Sequence, residues 1–256
     1  MDDLVAVVLA AGSGMRLMPH TADRPKATIP FIGATPLSLL TSSLRAVGVE
    51  DIVVVRGTNG ASVGGRGLRV IESGGTGNMV SSLMSAVPHL PAGRTVLVCY
   101  GDLILQRSLL RTMVQSDQQR DDVWVAVDAD WEAYFRWRFF GGIGDAESCV
   151  VDSRGCIVEI GGEVPPGSSP SHQFIGLVRF SPHGLRRAVD LWNRAAHPQM
   201  QTTQLLQCLI DEGSTVRARE VRGGWLEIDS PSDLAGAINV CEGGVAVPFF
   251  DPTDIR

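Results

Sequence analysis

The sequence predicts an α/β protein whose core is a doubly wound, mostly parallel β-sheet. Two observations lead to this fold class. Continuous apolar runs of strand length alternate with segments of helical pattern, which is typical of a parallel sheet covered by helices on both faces. The first run, residues 4–9, is followed directly by a turn that contains Gly12 and Gly14, as expected where a strand ends and the chain turns back.

The first half of the chain shows the clearest alternation. Runs rich in Val, Ile and Leu indicate buried strands, and the helical segments lie between them. Four prolines between residues 19 and 36 exclude a regular helix directly after the first strand. The predicted strands are residues 4–9, 51–55, 68–72, 95–99 and 123–127, and the predicted helices are residues 37–47, 78–87 and 106–115.

The second half is more mixed. Residues 131–140 hold six of the 15 aromatic residues, and this aromatic cluster indicates either a helix packed on the core or a cage for a quaternary ammonium group. Residues 148–152 and 156–160 flank a turn and predict a hairpin. Further strands are predicted at residues 174–180, 215–221 and 225–228, and helices at residues 182–194, at residues 203–211 and after Ser230-Pro231.

Composition narrows the class of protein. A formal charge of −6 argues against broad nucleic-acid binding, which needs a basic surface. No apolar run reaches the roughly 20 residues that span a bilayer, and the five scattered cysteines fit reduced thiols in a cytoplasm. Lys26 is the single lysine among 22 basic residues, which suggests a position where arginine cannot replace it.

The strongest motif runs from Leu9 to Leu17 and continues through Pro25-Lys26 to Pro30. Glycines after a buried strand expose consecutive backbone N–H groups, which can wrap a triphosphate. Arg16 can bind the leaving phosphates and Lys26 can place a charge at the reacting phosphate. A Gly-x-Gly turn alone is a weak signal, and this one has neither the third glycine of a dinucleotide fingerprint nor a Walker lysine.

Taken together, these residues resemble the signature LAAGxGxRL…PK of the sugar-nucleotidyltransferase superfamily. The resemblance implies a Rossmann-like nucleotidyltransferase fold, one domain over residues 1–256, with a nucleotide-binding half to about residue 125 and an acceptor-binding lobe after it. It also implies that Asp102 and Asp229, each after a predicted strand, hold Mg²⁺, and that Lys26 and Arg16 are catalytic. The nucleotide-binding residues it implies are Ala10, Ala11, Gly12, Ser13, Gly14, Met15, Gly75, Thr76, Asn78 and Gly101.

Segments of the second half, among them residues 155–161, 173–177 and 225–229, are similar to the phosphocholine cytidylyltransferase-like branch, which includes cytidylyltransferases of phosphonate biosynthesis. The branch implies transfer of CMP from CTP to a small phosphate or phosphonate acceptor, with release of pyrophosphate. Relatives commonly carry a lysine soon after the segment at residues 155–161, whereas this chain has Gly161-Gly162-Glu163; if that lysine normally meets the acceptor, the departure leaves the identity of the acceptor open. The expected acceptor-binding residues are Arg138, Trp131, Arg136, Asp145, Glu147, Gln173 and Glu227.

Two other functions fit parts of the sequence. A sugar-1-phosphate nucleotidyltransferase that uses UTP, dTTP or GTP would carry the same first motif. A noncatalytic nucleotide-sensing homologue would be expected to lose Lys26 or one carboxylate, and this chain keeps Asp102 and Asp229 as well as the lysine. The expected partners are CTP and the small acceptor, with no nucleic acid and no membrane, and a homodimer is left open.

Overall fold

A computed structural model describes residues 3–57, 60, 62–74, 78–115, 121–139, 146–165, 167–195 and 199–255. Its eleven described strands follow the predicted apolar runs closely, with one exception discussed below. They are β1 (Leu4–Ala10), β2 (Ile52–Arg56), β3 (Arg69–Glu72), β4 (Thr95–Tyr100), β5 (Leu103–Leu105), β6 (Val123–Asp128), β7 (Cys149–Val151), β8 (Ile157–Ile160), β9 (Gln173–Phe180), β10 (Val216–Val221) and β11 (Trp225–Glu227).

Seven strands form the central sheet, in the order β10-β6-β9-β4-β1-β2-β3. Only β9 runs antiparallel to its neighbours β4 and β6, and the other pairs are parallel. All seven residues of β1 are buried, as its unbroken apolar sequence predicts for a central strand covered on both faces. The predicted doubly wound, mostly parallel α/β sheet is therefore confirmed.

Helices cover both faces of this sheet and form two core layers. The helices are α1 (Pro36–Ala46), α2 (Met79–Ala86), α3 (Arg107–Val114), α4 (Trp131–Arg138), α5 (Pro182–Arg194), α6 (Thr202–Asp211) and α7 (Pro231–Cys241). Apolar residues of α1, α3, α4 and α7 pack on one face, and those of α2, α5 and α6 pack on the other.

Two small sheets complete the fold. The predicted hairpin is present as the antiparallel pair β7 and β8. The sequence did not predict β5, which pairs antiparallel with β11 and places Leu103 opposite Glu227. This pairing joins the segment after β4 to the segment before α7, so two distant parts of the chain meet at the carboxyl edge of the sheet.

Candidate active site

The loop after β1 is held in an unusual backbone conformation. Gly14 lies in the left-handed region with φ 64°, and its carbonyl accepts a 2.8 Å hydrogen bond from the Thr21 hydroxyl. A Cβ at Gly14 would approach the Thr21 and Lys26 side chains at 2.9 and 3.0 Å, so only glycine fits there. A Cβ at Gly12 would meet no atom within 4 Å, which leaves its backbone open to a ligand.

This loop forms one wall of a cleft of about 300 Å³. Of the residues predicted to bind the nucleotide, Ala10, Gly12, Ser13, Gly14, Met15 and Gly101 line this cleft, together with Lys26, Arg16, Asp102 and Asp229. Ala11 is not part of the lining, and its carbonyl lies against Gly57. The structure thus brings the residues of the first motif together with both predicted metal-binding carboxylates.

The centre of the cleft is a compact group of three charges. The Lys26 ammonium lies 2.7 Å from Asp102 Oδ2 and 2.5 Å from Asp229 Oδ1. All three side chains are largely buried, with 14% or less of each exposed. Burial alone would lower the pKa of Lys26, but the two carboxylates outweigh it and raise that pKa, so the ammonium stays charged.

Two strand ends position the carboxylates. Gly101, between β4 and Asp102, donates its N–H to Leu9 O at 2.9 Å, so close that a Cβ would collide with that carbonyl. The β5–β11 pairing extends one residue further, where Ile228 N donates to Asp102 O at 3.1 Å. Asp102 and Asp229 therefore face each other because the backbone segments that carry them are hydrogen-bonded.

Asp233 fixes the backbone on the other side of Asp229. It occupies the third position of α7, and its carboxylate accepts from Asp229 N at 3.1 Å and from Ser230 N at 2.8 Å. The Ser230 hydroxyl caps the same helix in return. Asp233 is not among the predicted site residues, although the pattern Ser-Pro-Ser-Asp is a capping-box signal that indicates such a helix start.

Two arginines approach Asp229 from different directions. Arg16 forms an ion pair with Asp229 while 71% of its side chain is exposed, so it can move toward a bound ligand. Arg138 is buried and makes a two-pronged ion pair with Asp233, at 3.0 and 3.1 Å, and a short one with Glu227. Its guanidinium lies 4.0 Å from Asp229. Arg138 is thus already surrounded by carboxylates.

The two catalytic-centre carboxylates offer the oxygen ligands that Mg²⁺ prefers. Asp102 Oδ1 is buried and has no hydrogen-bond partner within the described ranges, an oxygen that a cation would satisfy. Across those same ranges there is no group of three or more His, Cys, Asp or Glu side chains arranged for a metal ion. Magnesium commonly takes only one or two carboxylates and completes its shell with phosphates and water, so the residues fit that ion.

A second cavity, of about 230 Å³, lies beside the first. Four of the residues predicted to bind the acceptor line it, namely Arg138, Glu147, Gln173 and Glu227. Its other walls include the aromatic side chains of Tyr100, Phe135, Phe174 and Trp225. Burial and the nearby Asp102 raise the pKa of Glu227 to about 7.

Trp131 and Arg136 line neither cavity, and their role in acceptor binding stays a prediction. Trp131 is 1% exposed, packs edge-on against Phe135 and donates its indole N–H to Pro170 O. Arg136 lies on the surface, paired with Glu132 one helical turn away. The aromatic cluster is therefore mainly the packing face of α4, and Phe135 is its member in the acceptor-side cavity.

Three predicted residues, Gly75, Thr76 and Asp145, lie outside the described residues. Asn78 is the N-cap of α2, where its side-chain oxygen accepts from Ser81 N at 2.7 Å. Its predicted contact with the base stays a prediction. In the described parts of the chain no helix is both long and apolar enough to cross a membrane. The cytoplasmic location and the homodimer also stay predictions.

A cleft of this composition, at the carboxyl edge of a doubly wound sheet, defines the class of the protein as a nucleotidyltransferase. The comparison with protein families agrees, since the profile of one family matches residues 6–202. The chain belongs to the family described as the MobA-like NTP transferase domain.

Three of the similar curated proteins match over 90% or more of their own length. A CTP:phosphoglutamine cytidylyltransferase of Campylobacter jejuni is 26% identical, over 90% of this chain and 97% of the relative. A 2-aminoethylphosphonate cytidylyltransferase of Lancefieldella rimae is 27% identical, over 90% of both chains. A UTP–glucose-1-phosphate uridylyltransferase of Haloferax volcanii is 25% identical, over 89% of this chain and 92% of the relative.

Solved structures share the fold at lower sequence identity. The inositol-1-phosphate CTP transferase from T. maritima superposes with a TM-score of 0.69 at 22% identity, over 95% of this chain and 98% of that one. UDP-glucose pyrophosphorylase from Acinetobacter baumanii superposes with a TM-score of 0.74 at 14% identity, over 91% of both chains. These likenesses concern the fold.

Proposed function

We propose that this enzyme transfers CMP from CTP to a small acceptor that carries a phosphate or phosphonate at one end and an ammonium group at the other. The observation that carries the acceptor proposal is the charge balance of the second cavity. Glu147 and Glu227 line it, while Arg138 is engaged by Asp233 and Glu227. A single domain is proposed, in which the two halves of the chain supply the nucleotide and acceptor sides.

On the nucleotide side, the backbone N–H groups of the loop around Gly12 and Gly14 would wrap the triphosphate. Lys26 would place its ammonium at the α-phosphate, and the exposed guanidinium of Arg16 would bind the leaving phosphates. Asp102 and Asp229 would hold Mg²⁺, which when bound supplies positive charge against the repulsion between two anionic substrates. CTP is proposed over other nucleotides because two of the similar enzymes named above are cytidylyltransferases.

On the acceptor side, the cavity is lined by the carboxyl groups of Glu147 and Glu227 and walled by aromatic rings. A primary or quaternary ammonium group would complement Glu147 and Glu227 by charge, and Tyr100 and Phe174 by cation–π attraction. Arg138 is predicted to bind the acceptor, but its guanidinium already forms ion pairs with Glu227 and Asp233. The phosphate or phosphonate end of the acceptor would then extend toward Lys26 and Asp229.

The reaction forms one P–O bond and breaks another. An ionised oxygen of the acceptor attacks the α-phosphorus, and the bond from the α-phosphorus to the bridging oxygen breaks as pyrophosphate leaves. The attacking oxygen is already largely deprotonated near neutral pH, so the residues need not remove a proton. Catalysis by this chain rests on positioning and charge.

The acceptor proposal is tested by comparing two phosphonates of similar size. With CTP and Mg²⁺, kcat/KM for 2-aminoethylphosphonate should exceed that for 2-hydroxyethylphosphonate by on the order of tenfold or more, because a hydrogen bond to a charged group contributes about 1.5–3 kcal/mol. Glu147→Gln should remove most of this difference, and Glu50→Gln, an exposed control that lines neither cavity, should keep it. Equal use of both phosphonates by the unsubstituted enzyme would refute the ammonium assignment.

A further inference from the structure

We propose that residues 247–255, here called the strap, act as a positioning element that holds the segment carrying Glu227 and Asp229 in its working geometry. The catalytic and acceptor roles of those two carboxylates rest on the function proposed above. The strap touches neither cavity through its own charged groups, and it acts through three neighbours of the segment, which are the turn at Gly223-Gly224, α4 and α3.

The strap first contacts the turn that leads into β11. Phe249 O accepts a 2.7 Å hydrogen bond from Gly224 N. Gly223 lies in the left-handed region with φ 65°, and a Cβ there would come within 2.3 Å of the same carbonyl. The strap and the turn are therefore packed backbone to backbone, immediately before Trp225 begins the strand that leads to the carboxylates.

The second contact runs through aromatic rings. Phe249 is 7% exposed, and its ring centroid lies 5.4 Å from that of Tyr134 and 5.5 Å from that of Trp137. The Tyr134 hydroxyl in turn accepts from Glu227 N at 2.8 Å. Phe249 thus packs against Tyr134, whose hydroxyl binds the backbone N–H of Glu227.

The far end of the strap is anchored on α3. Asp254 accepts from Ser108 N at 2.9 Å and from the Gln106 side-chain amide at 3.4 Å. Gln106 N donates to Gly224 O at 2.9 Å, so the residue before α3 is also bonded to the turn at Gly223-Gly224. Ile255 is 1% exposed and joins the core layer that contains α4 and α7. The strap is therefore fixed at both ends around the entry to β11.

A pair of glycine substitutions separates positioning from general stability. Gly223→Ala adds a methyl that must displace Phe249 O, and it also places alanine in the left-handed region. Gly213→Ala places alanine in the same region, at φ 81°, where the added Cβ meets no atom within 4 Å. Both variants place alanine in an unfavourable backbone conformation, and only Gly223→Ala also displaces the strap.

Two measurements decide the proposal. Amide hydrogen exchange at residues 226–229 should be at least tenfold faster in Gly223→Ala than in Gly213→Ala, measured well below both melting temperatures. The kcat for pyrophosphate release should fall on the order of 10- to 100-fold in Gly223→Ala alone, with KM for the nucleotide changed less. Equal exchange and equal kcat in the two variants would overturn the proposal. Exchange does not depend on the substrate, so it decides this proposal even if the substrates proposed above are wrong.

A second pair tests the aromatic contact without strain in the turn. Phe249→Ala removes the ring that packs on Tyr134, and Met200→Ala removes a side chain of similar burial in the opposite core layer. Faster exchange at residues 226–229 in Phe249→Ala alone supports the strap. The same local exchange in both variants, at matched loss of melting temperature, contradicts it.

Discussion

Replacing Lys26 by methionine should make the stability of the protein depend on magnesium. The lysine is the sole ion-pair partner of Asp102 within the described residues, and it also pairs with Asp229. Methionine keeps the unbranched stem of the side chain up to Cε but removes the ammonium, which leaves two largely buried carboxylates facing each other. An uncompensated buried charge costs about 3–5 kcal/mol, and Arg16 and Arg138 still face Asp229, so we expect a loss of about 3 kcal/mol.

That loss corresponds to a melting temperature lower by about 6–12 °C for a protein of this size. Added Mg²⁺ should restore most of it in Lys26→Met, because a cation at about 100 times its dissociation constant contributes about 2.7 kcal/mol. Turnover should stay lower by a factor on the order of 10² or more even with Mg²⁺, since the charge at the α-phosphate is lost.

The assay is thermal unfolding with and without Mg²⁺, together with pyrophosphate release. Lys26→Arg keeps the positive charge and should unfold near the unsubstituted protein, yet it should lose turnover because a planar guanidinium does not replace a compact ammonium. Arg24→Met removes an exposed cation nearby and should change neither quantity. Turnover of Lys26→Met close to that of the unsubstituted enzyme would refute the role of Lys26, and an unchanged melting temperature would refute the charge argument.

Three further outcomes are expected. Gly14→Ala should abolish most activity because the added Cβ has no room in the loop. Gly93→Ala, at a similar φ of 75° and with no atom within 4 Å of the added Cβ, should lower only stability. Activity assays and thermal unfolding distinguish the two effects. Burial raises the pKa of the Cys99 and Cys149 thiols to about 12, so little reactive thiolate forms at pH 8, and peptide mapping after iodoacetamide treatment of the folded protein should find both unmodified. Arg136→Ala should leave kcat/KM within twofold, because among the described residues its side chain pairs with Glu132 on the surface of α4. A tenfold loss would show that Arg136 belongs to the site.

Much of the fold follows from the sequence because the signals are local. The run at residues 4–9 and the similar runs in β2, β4 and β6 have the length and apolarity of buried strands. The carboxyl ends of parallel strands meet at one edge, so the first motif and Asp102 were expected to lie close together. The structure places Lys26 between Asp102 and Asp229.

What the sequence does not show is mostly pairing over long separations. The three-residue strands β5 and β11 are too short for a periodic pattern, and they pair across more than a hundred residues. The sequence alone predicts that Arg138 is available to bind an anionic acceptor. Its partners Glu227 and Asp233 lie 89 and 95 residues away, so its charge balance becomes visible only in the folded chain. Trp131 was likewise predicted from its residue type, and its burial becomes visible only in the folded chain.

The most direct test of the proposed function crosses two nucleotides with two acceptors. Pyrophosphate release is measured with Mg²⁺ for CTP and UTP, each against 2-aminoethylphosphonate and glucose 1-phosphate. We expect the combination of CTP and 2-aminoethylphosphonate to be faster than the other three by on the order of tenfold or more. Fastest release with UTP and glucose 1-phosphate would contradict the proposed substrates, and it would leave the nucleotidyltransferase fold and the Lys26–Asp102–Asp229 centre in place.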